Sequence, residues 1–186
     1  GAVTLDTPQA KSALDFYRRL VKDRTVTLPG LESIDSVQSG ARFAAGEIAM
    51  MANWFGFAAI CEQPDCLIKG KVGVAPLPAG EVGRSASLNV YWLLGIGAGS
   101  RHKEEAYAFI RHCATPEMDK LTTMEGGIGC RLSTWKDPEV NRAIPFYNQL
   151  SDLHLHTREL PRSRELPRLI HLIDRAVERA LSSDEP

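Results

Sequence analysis

Leu88-Asn89-Val90-Tyr91-Trp92-Leu93-Leu94-Gly95-Ile96-Gly97-Ala98-Gly99-Ser100 is the stretch on which the reading of the fold turns. Residues Leu88 to Ile96 are almost wholly apolar and rich in aromatic and branched side chains, the composition of a strand with little exposure. Gly95, Gly97 and Gly99 end it. Ser100 is a good helix cap, and the segment Arg101 to Cys113 behind it puts Ala106, Phe109, Ile110 and Cys113 on one face. A strand running through a glycine turn into an amphipathic helix is the basic unit of an α/β fold.

Working outward, the same alternation recurs. On the amino-terminal side, Thr7-Pro8 opens a helix whose Ala10, Ala13, Leu14, Tyr17, Leu20 and Val21 share a face. A second helix runs from Asp35 to Ala44 and stops at Gly46. Glu47 to Ala52 reads as a short buried strand, Trp54 to Cys61 as a short helix, and Lys71 to Leu77 as a strand ending at Pro76 and Pro78. Glu81 to Ser87 is a polar loop. On the carboxy-terminal side, Thr115-Pro116-Glu117 starts a helix that Glu125-Gly126-Gly127 ends, and Asp137-Pro138-Glu139 starts another. Pro161 and Pro167 punctuate a loop before a last helix, Pro167 to Leu181, with Leu169, Ile170, Leu172, Ile173, Ala176, Val177 and Ala180 as its buried stripe. Three strand candidates among many helices are few for 186 residues, which a missing partner segment would explain. The start, Gly1-Ala2-Val3, lacks a Met and reads as a point inside a longer gene.

Composition removes several classes. A net charge of -1, with Lys and Arg spread evenly, is not a nucleic-acid surface. The longest apolar run, Val90 to Ala98, is half the roughly 18 residues that a membrane-spanning helix needs. Cys61, Cys66, Cys113 and Cys130 permit three pairings. Cys61 and Cys66 flank the turn-forming Glu62-Gln63-Pro64-Asp65, where either a short-loop disulfide in an oxidising compartment or two buried thiols would fit.

Four stretches, in order, carry a family resemblance. They are Phe43 to Trp54, with Gly46, Ala49, Met50 and Trp54; Gly70 to Gly80, with Pro76-Leu77-Pro78; Trp92 to Ser100 followed by Lys103-Glu104-Glu105-Ala106 and Phe109-Ile110; and Thr115-Pro116-Glu117 with Gly126-Gly127, Arg131-Leu132-Ser133 and Asp137-Pro138. The chain resembles the carboxy-terminal half of extracytoplasmic solute-binding proteins of the sugar-binding family 1 type, over roughly residues 8 to 182. The resemblance implies an α/β, helix-rich lobe of a periplasmic binding protein-like (type II) fold with a small mixed sheet. It implies that residues 1–186 are one lobe of a two-lobe protein whose amino-terminal lobe is absent. It implies substrate capture for an ABC importer outside the cytoplasm, with the importer's membrane subunits as partners and no catalysis or cofactor. Two differences fall on the implied binding wall: bulky Asn89-Val90-Tyr91 precede Trp92, and Ile128-Gly129-Cys130 stand where the family has a proline.

A sugar presents apolar C–H faces and many hydroxyls, so a binding wall needs aromatic rings and a few polar groups. Trp54 and Trp92 are the stacking candidates by position, against the alternative of core indoles with N–H bonded to a carbonyl. Arg131 is the hydrogen-bond donor candidate, against an unpartnered surface arginine. Asn53, Tyr91 and Glu125 are further candidates, and Trp135 reads as packing.

Other chemistries fit less well. Gly95-Ile96-Gly97-Ala98-Gly99-Ser100 has a dinucleotide-turn context but Ser where the pattern needs its last Gly, and no acidic residue follows at the right distance. The histidines and cysteines lack metal-ligand spacing, and no Gly-x-Ser-x-Gly elbow is present. A helical protein-interaction module without small-molecule ligand is the remaining alternative. It should bury both Trp54 and Trp92, whereas a binding lobe should expose them.

Overall fold

The computed structural model describes residues 6–30, 33–80 and 83–183. The expectation for Gly1-Ala2-Val3, and the first two residues of the expected 81–87 loop, lie outside the described residues. Two compact units divide the chain: residues 1–34 with 161–186, and residues 35–160.

The first unit pairs helix α1 (Pro8–Lys22) with helix α9 (Leu166–Ser182). The Thr7 hydroxyl accepts the Ala10 amide at 3.2 Å, so the Thr-Pro start works as a cap as expected. Val21 is its one buried hydrophobic residue among those described. Phe16, Tyr17, Leu20, Ile170, Leu172 and Ile173 stay exposed.

The second unit holds the core. Its elements are α2 (Ser36–Ala44), α3 (Phe55–Ile60), β1 (Ser87–Leu88), α4 (Lys103–Cys113), α5 (Pro116–Met124), α6 (Leu132–Trp135), α7 (Pro138–Ala143), α8 (Leu150–His154) and β2 (Thr157–Arg158). Ala59, Trp135, Val140, Ile144, Phe146, Tyr147 and Leu150 form the buried cluster, with Phe55, Val72, Val74, Met124 and Leu153 packed against it. Phe55 meets Phe146 and Tyr147 edge-on, with centroids 5.8 and 5.3 Å away. Side-chain caps set three of the helix starts here. Asp35 and Gln38 form a reciprocal capping box on α2, Thr115 caps α5, and Asp137 caps α7. Lys120 reaches from α5 to Asp137 at 2.9 Å and Glu139 at 2.7 Å, and its ammonium holds the Asp137 carboxyl below the usual range.

The helix-rich α/β character is as expected, but the strands are shorter. β1 and β2 form a parallel pair, Ser87 opposite Thr157 and Leu88 opposite Arg158. Of the expected strand Leu88–Ile96, Leu88 alone joins this ladder; the rest is extended chain. Lys71–Leu77 is also extended, and its alternation is real, since Val72 and Val74 turn onto the core, yet no described strand pairs with it. The expected buried strand Glu47–Ala52 is not a ladder strand and holds no buried residue, with Met50 exposed. A ladder requires a neighbour, and periodicity does not report one. Helix α4 starts two residues later than expected, because the Ser100 hydroxyl takes the His102 amide at 3.2 Å and His102 occupies the cap position.

Tyr147 is fully buried, and its hydroxyl accepts the Gly129 amide at 2.9 Å. Burial raises its phenol above the ordinary value, so it stays neutral. Tyr147→Phe should therefore strand a buried amide and cost about 1–3 kcal/mol. Urea unfolding of the two proteins should show a lower midpoint with an unchanged slope.

Candidate functional site

One loop organises the candidate residues. Helix α5 ends with Glu125 as its cap residue and Gly126 at φ 91°. The Gly126 amide bonds Thr123 O at 3.1 Å and the Gly127 amide bonds Thr122 O at 2.8 Å, the paired bonds of a Schellman ending. Beyond it the backbone is held by side chains. Asp119 accepts the Cys130 amide at 2.8 Å, the Arg131 amide at 3.2 Å and the Thr134 hydroxyl at 2.5 Å. Trp135 donates its indole N–H to Gly129 O at 2.6 Å. A side chain at Gly129 would meet Thr123, Asp119 and Thr134 atoms at 2.5–2.9 Å, so only glycine fits this approach.

Two aromatic-bearing segments connect to this loop, one directly and one through the side chain that holds it. On one side lies α3, whose cap residue is Trp54. A Cβ on Gly56 would lie 2.8 Å from Ile128, and one on Gly126 would lie 3.4 Å from Gln63, so α3 and its following turn sit directly against the loop. On the other side, His154 stacks on Trp135 at 4.9 Å, and Tyr91 lies 6.4 Å from His154. The run through Tyr91 and Trp92 is thereby tied to the residue that holds Gly129.

The six sequence candidates divide on what their polar groups already do. Trp54 is 46% exposed, Tyr91 52% and Trp92 97%. All three present ring surface to water, and the alternative of core indoles does not hold for either tryptophan. Glu125 is exposed at the end of α5. Arg131 is exposed but not unpartnered: its guanidinium donates through Nε to Ala114 O at 3.1 Å and through Nη2 to the same oxygen. That carbonyl lies just past the end of α4, a favourable place for a cation. Asn53 is committed to the backbone. Its amide donates to Ser36 O at 2.9 Å, and its Oδ1 accepts the Trp54 amide at 2.8 Å. Asn53 therefore orients Trp54 rather than offering free groups. Trp135 is buried, as expected for packing.

Asp119, Tyr147 and His154 were not anticipated. Asp119 sits in the first turn of α5, where an acidic residue needs no further reason. Its reach to residues 130, 131 and 134 follows from tertiary structure alone. Among the described residues no cluster of His, Cys, Asp and Glu is arranged to hold a metal.

A family model described as bacterial extracellular solute-binding protein matches residues 1–120. The chain belongs to this family. It is 31% identical over 157 residues to a probable ABC transporter-binding protein of Deinococcus radiodurans, covering 82% of this chain and 36% of that one. It is 26% identical over 146 residues to a probable amino-acid ABC transporter periplasmic-binding protein of Sinorhizobium fredii, covering 78% and 32%. Among solved structures it matches maltose-bound MalE3 of T. maritima with a TM-score of 0.90 and 31% identity, over 98% of this chain and 47% of that one. The chain thus spans about a third of the length of these curated relatives and about half of MalE3. Family and fold are those of solute-binding proteins of transport systems.

Asp119→Ala should free two loop amides and the Thr134 hydroxyl together, for a cost of about 2–4 kcal/mol. Hydrogen exchange should accelerate at residues 129–131 more than in α9.

Proposed function

We propose that this chain is the carboxy-terminal lobe, residues 1–186, of a two-lobe binding protein that captures a sugar or similar polar solute for an ABC importer. The lobe supplies one wall of the cleft, and an amino-terminal lobe supplies the other. Trp92 carries the reading. A soluble domain gains by burying an indole, and this one leaves Trp92 97% exposed beside half-exposed Tyr91. Rings left open to solvent suit the C–H faces of a saccharide. The alternative interaction module should bury both Trp54 and Trp92, and neither is buried.

Three observations support the partners. The similarity to a maltose-bound protein favours a carbohydrate, and the relatives' ABC transporter names favour importer membrane subunits outside the cytoplasm. The extended run 90–96, apolar and outside the described ladder, is chain suited to covering by another segment. Within the wall, Trp54, Tyr91 and Trp92 stack on the ligand, Glu125 accepts its hydroxyls, and Arg131 donates through guanidinium N–H groups not turned to Ala114. Asn53 orients Trp54. Closure of two lobes on the solute would give the importer a distinct liganded form.

Calorimetry with maltose separates the alternatives. The isolated chain should bind no tighter than about millimolar, since half the enclosing surface is missing. In the complete gene product, Trp92→Ala and Trp54→Ala should each weaken binding by about tenfold or more while leaving the circular dichroism unchanged. Micromolar binding by the isolated chain would contradict the two-wall reading. An amino acid that binds where maltose does not would replace the ligand class.

A further inference from the structure

Helix α3 starts without a side-chain cap bond, and its cap residue is Trp54, at φ -65° and ψ 140°. Asn53 fixes that entry, and every polar group of its side chain is in use. Oδ1 accepts the Trp54 amide at 2.8 Å. Nδ2 donates to Ser36 O at 2.9 Å and to the Met51 sulfur at 3.6 Å. The same sulfur takes the Ser39 hydroxyl at 4.0 Å. Ser36 and Ser39 both belong to α2, whose first turn the Asp35–Gln38 box holds. Met51 is half-buried, whereas Met50 beside it is 88% exposed. The chain thus turns one thioether toward α2 and leaves its neighbour in water.

We infer that Met51 is a positioning residue for Trp54, acting through Asn53. An asparagine amide has two N–H donors and one carbonyl oxygen. Ser36 O satisfies one donor, and the Met51 sulfur satisfies the other. With both matched, the amide keeps the one orientation that presents Oδ1 to the Trp54 N–H. Turned over, it would set Oδ1 against Ser36 O and Nδ2 against the Trp54 N–H, two mismatches at once. A thioether is a weak acceptor, but it is flexible and polarisable and fills an irregular gap between two segments. Leucine at 51 would occupy similar space and accept nothing. The effect of Met51 on ligand binding rests on the reading that Trp54 faces the solute; its effect on Trp54 does not.

The test reads Trp54 directly. The whole chain is produced with 5-fluorotryptophan, which gives one fluorine resonance for each of its three tryptophans, and Trp54→Phe assigns the first. Met51→Leu should move the Trp54 resonance toward that of free 5-fluorotryptophan and leave those of Trp92 and Trp135 in place. Met51→Gln, which restores an acceptor on an unbranched side chain, should bring it back. Norleucine incorporated in place of methionine, exchanging sulfur for CH₂ in an unmutated chain, should act as Met51→Leu does and add nothing to that variant. In the complete gene product, Met51→Leu should weaken maltose binding about threefold in calorimetry, with no further loss in a Trp54→Ala background. An unmoved Trp54 resonance, equal displacement of all three resonances, or failure of Met51→Gln to restore the first would each overturn the inference. A displaced Trp54 resonance with unchanged maltose affinity would instead contradict the place of Trp54 in the ligand wall, and its positioning by Met51 would stand.

Discussion

The Asp119 carboxylate is the constraint on which the arrangement of the second unit depends. It takes two consecutive backbone amides and a buried hydroxyl, and so converts the chain after the Schellman turn from a free loop into a fixed one. Hydrogen bonds to a charged acceptor are the stronger class, at roughly 1.5–3 kcal/mol each. Tyr147 and Trp135 fix the same loop from the core side, through the amide and carbonyl of Gly129. A small loop is thus anchored to α5, to α6 and to the residues before α8. Rigidity there matters because α3 and its turn sit against the loop, and Trp135, which holds Gly129, stacks on His154 beside Tyr91.

The exposed run 92–94 is energetically unusual. Leaving a large apolar side chain in water forgoes on the order of 2 kcal/mol of burial, and Trp92, Leu93 and Leu94 are exposed in succession. Local structure offers no compensation, because this run has no described ladder partner. The proposed function would supply it: a ring already held in place would lose little freedom when ligand arrives, so its stacking energy would go into affinity. Asn53 and His154 perform the preorganisation, one by taking the Trp54 amide and the other by bridging Tyr91 to the buried Trp135. Arg131 shows the same economy, with part of its guanidinium spent on Ala114 O so that its position is set.

Much of the local architecture was legible in the sequence. Thr7, Asp35, Thr115 and Asp137 announce helix starts because a cap is a short-range interaction between a side chain and the amides two or three residues on. Gly126-Gly127 announces a helix end for the same reason, and the stripe of α9 is a matter of periodicity. Strand length was not legible, since residues 71–77 and 88–96 have strand composition but ladders depend on neighbours elsewhere in the chain. The short helices α6 and α8 are too brief to leave a periodic trace. At the site, Trp54, Tyr91 and Trp92 stand out in the sequence by their setting, and each is exposed. Asp119, Tyr147 and His154 do not, because each acts across 11 to 63 residues of sequence on a partner that tertiary folding alone supplies.

The central claim is that two indoles, at the start of α3 and on the extended run 90–96, stand open to solvent while the third, in α6, is buried. Hydroxyl-radical footprinting, with oxidation read residue by residue in the mass spectrometer, measures this on the unaltered chain. Rapid oxidation of Trp54 and Trp92 with slow oxidation of Trp135 is the predicted result. Protection of Trp92 comparable to that of Trp135 would contradict it.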